Sequence, residues 1–339
     1  MNPTDAGPDS DASDTDAPDR STDRAASTWF HPDGSLARDG WDVLVDGSLP
    51  GWRHTGLRVA DLGGRRLDLE PGDVERLLVP LYGSFEVEVT VEDRSRDADD
   101  EAGSRVIALA GRASVFAGPT DTLYLPPGTA ATVGGSGRLA VAEAPATRPA
   151  RIRHLAAGEA PVELRGRGRS SREVHDLGTP AVLDAERLIV CEVITPAGNW
   201  SSYPPHKHDE EIPGVESRLE EIYYFEAAPT AGAKDEAGSA HPGTEAFGLF
   251  TASSSGATAI ALDERVRTGD VALIPGGYHG PAAAAPGYDL YYLNVMAGPG
   301  ERVWRITDDP AHAWVRDTWD HEAVDPRLPL RRDPEGTPQ

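Results

Sequence analysis

Apolar positions in this chain come in short β-rich runs, and Gly, Pro and Asp punctuate the gaps between them. Long amphipathic helical spacings are scarce. The runs predict strands at 41–46, 55–61, 76–91, 104–117, 121–125 and 138–145 in the first half. In the second half they predict strands at 161–165, 187–196, 201–208, 220–227, 246–252, 257–262, 271–275 and 288–297. Evenly spaced short strands with turn signals define an all-β protein built as a sandwich or barrel.

At 339 residues the chain can form two ordinary domains, each with its own core. An internal repeat points to two copies of one barrel. Asp121-Thr-Leu-Tyr-Leu-Pro126-Pro-Gly128-Thr-Ala130 matches Asp270-Val-Ala-Leu-Ile-Pro275-Gly-Gly277-Tyr-His279 at a constant offset of 149. The second copy has a histidine where the first has Ala130, and the first has no His-x-His pair. The expected organisation is an acidic, disordered tail at 1–27, a barrel without a metal site at 28–155, and a metal-binding barrel plus C-terminal tail at 156–339. Two polar stretches, Glu92 to Ser104 and Ala228 to Glu245, read as extended loops. His241 in the second is expected to be a solvated loop residue.

Composition narrows the function. With 32 basic and 56 acidic residues the formal charge is -24, which argues against nucleic acid and anionic membranes as partners. A single cysteine, Cys191, rules out an internal disulfide, and its strand-like surroundings predict a buried structural thiol. No apolar run reaches the length of a membrane span, and the N-terminus lacks the features of a secretory signal. The expected location is the cytoplasm.

The chemistry concentrates in the second half. In Pro205-His206-Lys207-His208, strand alternation would put both imidazoles on one face and Lys207 on the other. In Glu220-Glu221-Ile222-Tyr223 only one acid can share a face with Tyr223, and parity selects Glu221 over Glu220. His279 follows Pro275-Gly-Gly277, a turn able to swing it back into the barrel. Three imidazoles and one carboxylate make a divalent-metal site with room for a substrate. Zinc is the first expectation, with manganese or iron as alternatives. A hydrogen-bonded polar interior without metal is the competing reading.

These motifs resemble the two cupin signatures, His-x-His…Glu and Pro-x-Gly…His, which imply a duplicated double-stranded β-helix jelly roll. Glu221 lies further beyond His208 than the general pattern has it, and one residue is missing between Gly277 and His279. A longer string, Gly198-Asn-Trp-Ser-Ser-Tyr-Pro-Pro-His-Lys-His-Asp209, is more specific. With Leu219-Glu-Glu-Ile-Tyr-Tyr224, Ser170-Ser-Arg-Glu-Val-His-Asp-Leu-Gly178 and Gly287-Tyr-Asp-Leu-Tyr-Tyr-Leu-Asn294, it resembles the 5-deoxy-glucuronate isomerase family of myo-inositol catabolism.

The resemblance implies an aldose–ketose isomerisation of a uronate through a metal-chelated enediolate, or alternatively a hydride shift. Tyr203, Tyr223 and Tyr292 are candidate proton donors or shuttles. Arg172 is the first candidate for the substrate carboxylate, ahead of Arg218 and Lys207, and Asn294 is a further hydrogen-bonding candidate. His175 and His312 are expected to be structural. Rival readings are an isomerase of 4-deoxy-5-keto uronates, a cupin dioxygenase, and a non-enzymatic sugar-binding protein. Self-association through exposed sheet edges is compatible with the sequence.

Overall fold

The computed structural model describes residues 28–91, 104–231 and 245–330. The expected tail at 1–27, most of the first polar stretch and His241 lie outside the described residues. Among the described residues the architecture is all-β: sheets of eight, seven and six strands, with only a four-residue α-helix and two 3-10 turns. No helix among the described residues is long and apolar enough to cross a membrane.

The eight-stranded sheet takes its strands from Val43–Val45 through Arg153–Leu155. Two of them, Val74–Val91 and Thr129–Pro145, pair along nearly their whole length and shift register between Pro80 and Tyr82. At this bend the strands belong to both walls of a barrel. Val74–Val91 pairs with Thr122–Leu125 through residues 76–78 and with Ser104–Arg112 through residues 83–90. Glycine is required there: Gly83 has φ 89°, and a Cβ on it would lie 1.9 Å from the Ser136 carbonyl oxygen. Trp41, Leu62, Leu78, Phe85, Val87, Leu123 and Val133 form one buried core of this barrel.

The second barrel sandwiches the other two sheets. The seven-stranded sheet runs Phe30–His31, Val271–Ile274, Glu220–Pro229, Tyr288–Ala297, Ile189–Thr195, Arg172–Asp176, Val162–Arg165. The six-stranded sheet runs Ala261–Val266, Gly248–Ser253, Tyr278–Ala284, His206–Lys207, Thr307–Asp308, with Trp200–Ser201 also on Tyr278–Ala284. Tyr223, Phe225, Tyr292 and Met296 on one sheet share a core with Phe250, Leu262 and Ala282 on the other.

Alternate residues of the seven-stranded sheet face the first barrel instead. Val190, Ile222, Leu293 and Val295 join Leu57, Leu77, Val79 and Ala142 in one continuous core. Burial on both faces explains why Ile189–Thr195 and Tyr288–Ala297 read as unbroken apolar runs. Polar groups in this seam are paired across it. Glu75 of the first barrel accepts the backbone N–H groups of Glu186, Arg187 and Leu188 at 2.8, 2.6 and 2.7 Å.

Several details differ from the sequence reading. Phe30–His31, expected at the head of the first barrel, pairs with Val271–Ile274 in the second. The strand expected at 257–262 lies at Ala261–Val266. The strand expected at 201–208 is two short pieces, because Ser202 (φ 47°) and two prolines turn the chain between them. Tyr278–Ala284 is a strand despite its Gly-Pro-Ala-rich sequence, because pairing with Gly248–Ser253 decides its conformation.

Candidate metal centre

The internal repeat occupies equivalent places in the two barrels. Gly128 and Gly277 both adopt left-handed φ, 82° and 90°, at the turn after the matched strands. Leu125 pairs with Arg76 in the first barrel, and Ile274, at the same offset of 149, pairs with Glu221 in the second. Arg76 therefore stands where the second barrel has Glu221. Its Nε donates to Glu143 at 2.8 Å, and Glu143 also binds Arg58 Nε at 3.0 Å. A guanidinium and its counter-ion fill the first barrel at the level where the second gathers imidazoles.

In the second barrel His206 and His279 are register partners on adjacent strands. His208 lies just beyond the short strand, and its ligand atom meets those of His206 and His279 within 4.8 Å. The ring centroids of His206 and His279 are 4.5 Å apart, and those of His208 and His279 are 4.8 Å apart. Glu221 reaches the group from the opposite sheet. Its Oε2 lies 3.0 Å from His208 Nε2 and 3.1 Å from His279 Nε2. All four residues are buried. Glu220 points away, accepting the backbone N–H groups of Arg53 and His54 in the first barrel.

Hydrogen bonding fixes which nitrogen His208 and His279 offer. His208 Nδ1–H donates to the Leu219 carbonyl at 3.2 Å, and His279 Nδ1–H donates to the Gly277 carbonyl at 3.1 Å. In the neutral rings both Nε2 atoms then present lone pairs toward a carboxylate oxygen. Acceptors facing acceptors repel unless a proton or a cation sits between them. Both distances to Glu221 are short enough that one cation between these atoms would be in reach of all three residues. Burial disfavours charge on Glu221, but His208 and His279 outweigh it and hold the carboxyl down at about 2. Burial, with His279 and His208 adding, keeps His206 well below its ordinary value and so neutral. Burial disfavours charge on His208, but the bond to Glu221 outweighs it and raises that ring, as expected where a proton holds the place a cation would take. With a divalent ion in that place, an anionic carboxylate and neutral imidazoles are the donor set.

Two phenols border this group. Tyr223 and Tyr292 lie on the inner face, ring centroids 5.1 Å apart, and the Tyr223 ring is 6.0 Å from that of His279. Their hydroxyls share Ser202 Oγ at 3.3 and 3.1 Å. Burial raises Tyr223 far above its ordinary value and Tyr292 to about 12, so both stay protonated at neutral pH. Asn294 pairs in register with both Tyr223 and Cys191, and its Nδ2 is buried without a partner among the described residues. Ser202 is a site residue that sequence reasoning missed. Its only local signal was the turn-forming Tyr-Pro-Pro that follows it.

Other candidates lie elsewhere. The Tyr203 ring packs against Trp200 and His312, with no hydrogen bond to the histidine group among the described residues. Lys207 cannot meet a substrate carboxylate, because its Nζ is already held by Asp209, Glu210 and Glu216 at 2.9, 2.6 and 2.9 Å. Arg218 is exposed. His175 sits in the seam between the barrels, bonded to Glu173 and Glu192. Arg172 is half-buried at the end of the inner face.

Fold and site together define a duplicated cupin in which the second barrel alone, among the described residues, carries a three-histidine, one-glutamate group. Comparison with known proteins refines this class. The chain belongs to the KduI/IolB family, whose profile matches residues 29–315. It is 37% identical over 295 residues to the 5-deoxy-glucuronate isomerase of Geobacillus kaustophilus (strain HTA426), covering 85% of this chain and 95% of that one. It is also 37% identical over 209 residues to the protein of the same name from Bacillus subtilis (strain 168), covering 60% of this chain and 70% of that one. The solved structure of an IolB-like protein from Salmonella typhimurium LT2 superposes with a TM-score of 0.69 at 32% identity, covering 85% of this chain and 98% of that one.

Proposed function

We propose that this protein is an aldose–ketose isomerase that converts 5-deoxy-D-glucuronate to 5-dehydro-2-deoxy-D-gluconate in inositol catabolism. The observation that carries the reading is the buried group His206, His208, Glu221 and His279, in a chain 37% identical to a protein named 5-deoxy-glucuronate isomerase over 95% of that relative. Those four residues would hold a divalent ion, zinc first, with manganese or iron as alternatives. Bound there, the ion would supply a Lewis acid for the substrate's carbonyl and neighbouring hydroxyl oxygens.

The reaction moves a hydrogen from the carbon beside the aldehyde to the former aldehyde carbon, as a proton by way of an enediolate or directly as a hydride. Tyr223 and Tyr292, protonated and joined through Ser202, act as hydrogen-bond donors to the substrate oxygens rather than as bases. The unpartnered Asn294 Nδ2 offers one further donor on the same face. Phe225, Phe250 and Met296 line the surrounding core and exclude water.

Metal analysis of the purified protein, combined with turnover of 5-deoxy-glucuronate and of 4-deoxy-5-keto uronates, tests this reading. The expected result is about one divalent ion per chain and turnover of the first substrate, with both lost in His206→Ala. Undiminished turnover by that variant would falsify the assignment, and a requirement for molecular oxygen would move the protein to another reaction class.

A further inference from the structure

The inner face of the seven-stranded sheet ends in two arginines side by side. Arg165 and Arg172 are register partners on adjacent strands. Period-two alternation sends both side chains to the face of Val174, which continues across the sheet through Val193 to Tyr292. Arg165 already has counter-ions: its Nε donates to Glu163 at 2.7 Å, and its Nη2 lies 3.6 Å from Asp176. Arg316, on the C-terminal segment, is paired with both carboxylate oxygens of Asp308.

Arg172 differs from both. Its Nη1 donates to the Ser170 carbonyl at 3.1 Å, and no carboxylate among the described residues forms an ion pair with it. Its guanidinium carbon lies 5.9 Å from the ring centroid of Trp319, and that of Arg316 lies 5.1 Å from the same ring. Burial, with the charges of Arg165 and Arg316 adding, pulls Arg172 down to about 10. By register the unpaired cation lies on the face of the sheet that carries Tyr292, whose ring is 5.1 Å from that of Tyr223 beside His279.

Trp319 arrives there on a strap, residues 307–330. The strap starts at Thr307–Asp308, paired with His206–Lys207. It ends against the Arg172 strand, where Asp325 N–H donates to Ser171 Oγ at 3.0 Å and Leu330 N–H donates to Glu173 at 2.6 Å. An aromatic ring orients a guanidinium without neutralising it, whereas an acid in its place would consume the charge.

We propose that Arg172 receives the carboxylate of the substrate and that Trp319 is the positioning residue that keeps its planar fork open for that bidentate contact. This rests on the uronate reading and deepens it: preference for a sugar acid over the neutral sugar resides in the Arg172–Trp319 pair.

The test is calorimetric titration of the full-length protein with D-glucuronate and with D-glucose as probes. Loss of a charge-assisted hydrogen bond weakens binding by about 10- to 100-fold, so wild-type protein should favour the acid by that margin. Arg172→Gln should erase the preference, and Arg172→Lys should restore little of it. Trp319→Ala should weaken acid binding about tenfold, leave glucose binding unchanged, and raise KM rather than lower kcat. Trp319→Phe should retain the wild-type pattern. The proposal is overturned if wild-type protein shows no acid preference, if Arg172→Gln keeps it, or if Trp319→Ala weakens both sugars equally, which is the mark of a merely structural strap. Failure of wild-type protein to turn over 5-deoxy-glucuronate would defeat the isomerase reading while leaving the acid-over-neutral measurement to stand or fall on its own.

Discussion

Replacing His175 with glutamine should flatten the alkaline limb of this protein's stability profile. His175 is completely buried in the seam between the barrels. Its Nδ1 lies 2.6 Å from Glu192 Oε1 and its Nε2 2.7 Å from Glu173 Oε1. Both partners accept, so both ring nitrogens carry protons and the ring is an imidazolium. Burial alone would discharge it, but the bonds to Glu173 and Glu192 outweigh burial and push it up to about 9. Glu192 is further held by Arg112 of the first barrel, at 2.8 and 2.6 Å, and by the Tyr291 hydroxyl at 2.9 Å.

A rise from the ordinary 6.5 to about 9 corresponds to about 3 kcal/mol of native-state stability. The sign follows from the folded value being the higher one. The contribution is complete below pH ~6.5 and disappears as pH rises through ~9. Urea unfolding followed by tryptophan fluorescence at pH 6 and pH 10 measures it. At pH 6 His175→Gln should be less stable than wild type by about 3 kcal/mol, and at pH 10 the gap should close to below about 1 kcal/mol. An equal gap at both pH values would refute the assignment of a buried imidazolium.

Three further outcomes follow from the geometry. Lys207→Met leaves Asp209 and Glu216 buried without their cation, and should cost about 3–5 kcal/mol and reduce bound metal, read by denaturant midpoint and metal analysis. Tyr292→Phe removes one of the two phenols on Ser202; kcat should fall about 10- to 100-fold with metal content unchanged, and an unaltered kcat would exclude the phenol from the reaction. Gly280→Ala places a Cβ 1.9 Å from the Ser202 carbonyl oxygen at a backbone φ of 97°, so melting and turnover should both drop, by at least about 1 kcal/mol in stability.

What the sequence by itself determined was local. Short apolar runs with turn residues between them announced an all-β chain, because strand periodicity and turn chemistry are properties of a few consecutive residues. The repeat at offset 149 marked equivalent strands and turns for the same reason. His-x-His, the parity of Glu221 with Tyr223, and the glycine turn before His279 were legible as a candidate donor set, since each depends only on neighbours in the chain.

The tertiary structure decided everything that needed distant segments to meet. Ser202 joins two tyrosines 21 and 90 residues away, and a strained φ holds it there, which no window of sequence displays. Arg76 with Glu143 occupies the place in the first barrel that Glu221 holds in the second, a substitution visible only once register is known. Phe30–His31 edges the second barrel rather than the first because its unpaired backbone groups find their partners on Val271–Ile274. Which counter-ions satisfy a charge, such as the three acids on Lys207, and which charge is left with an aromatic ring instead, as Arg172 is, are settled by packing and desolvation in the folded chain, not by spacing along it.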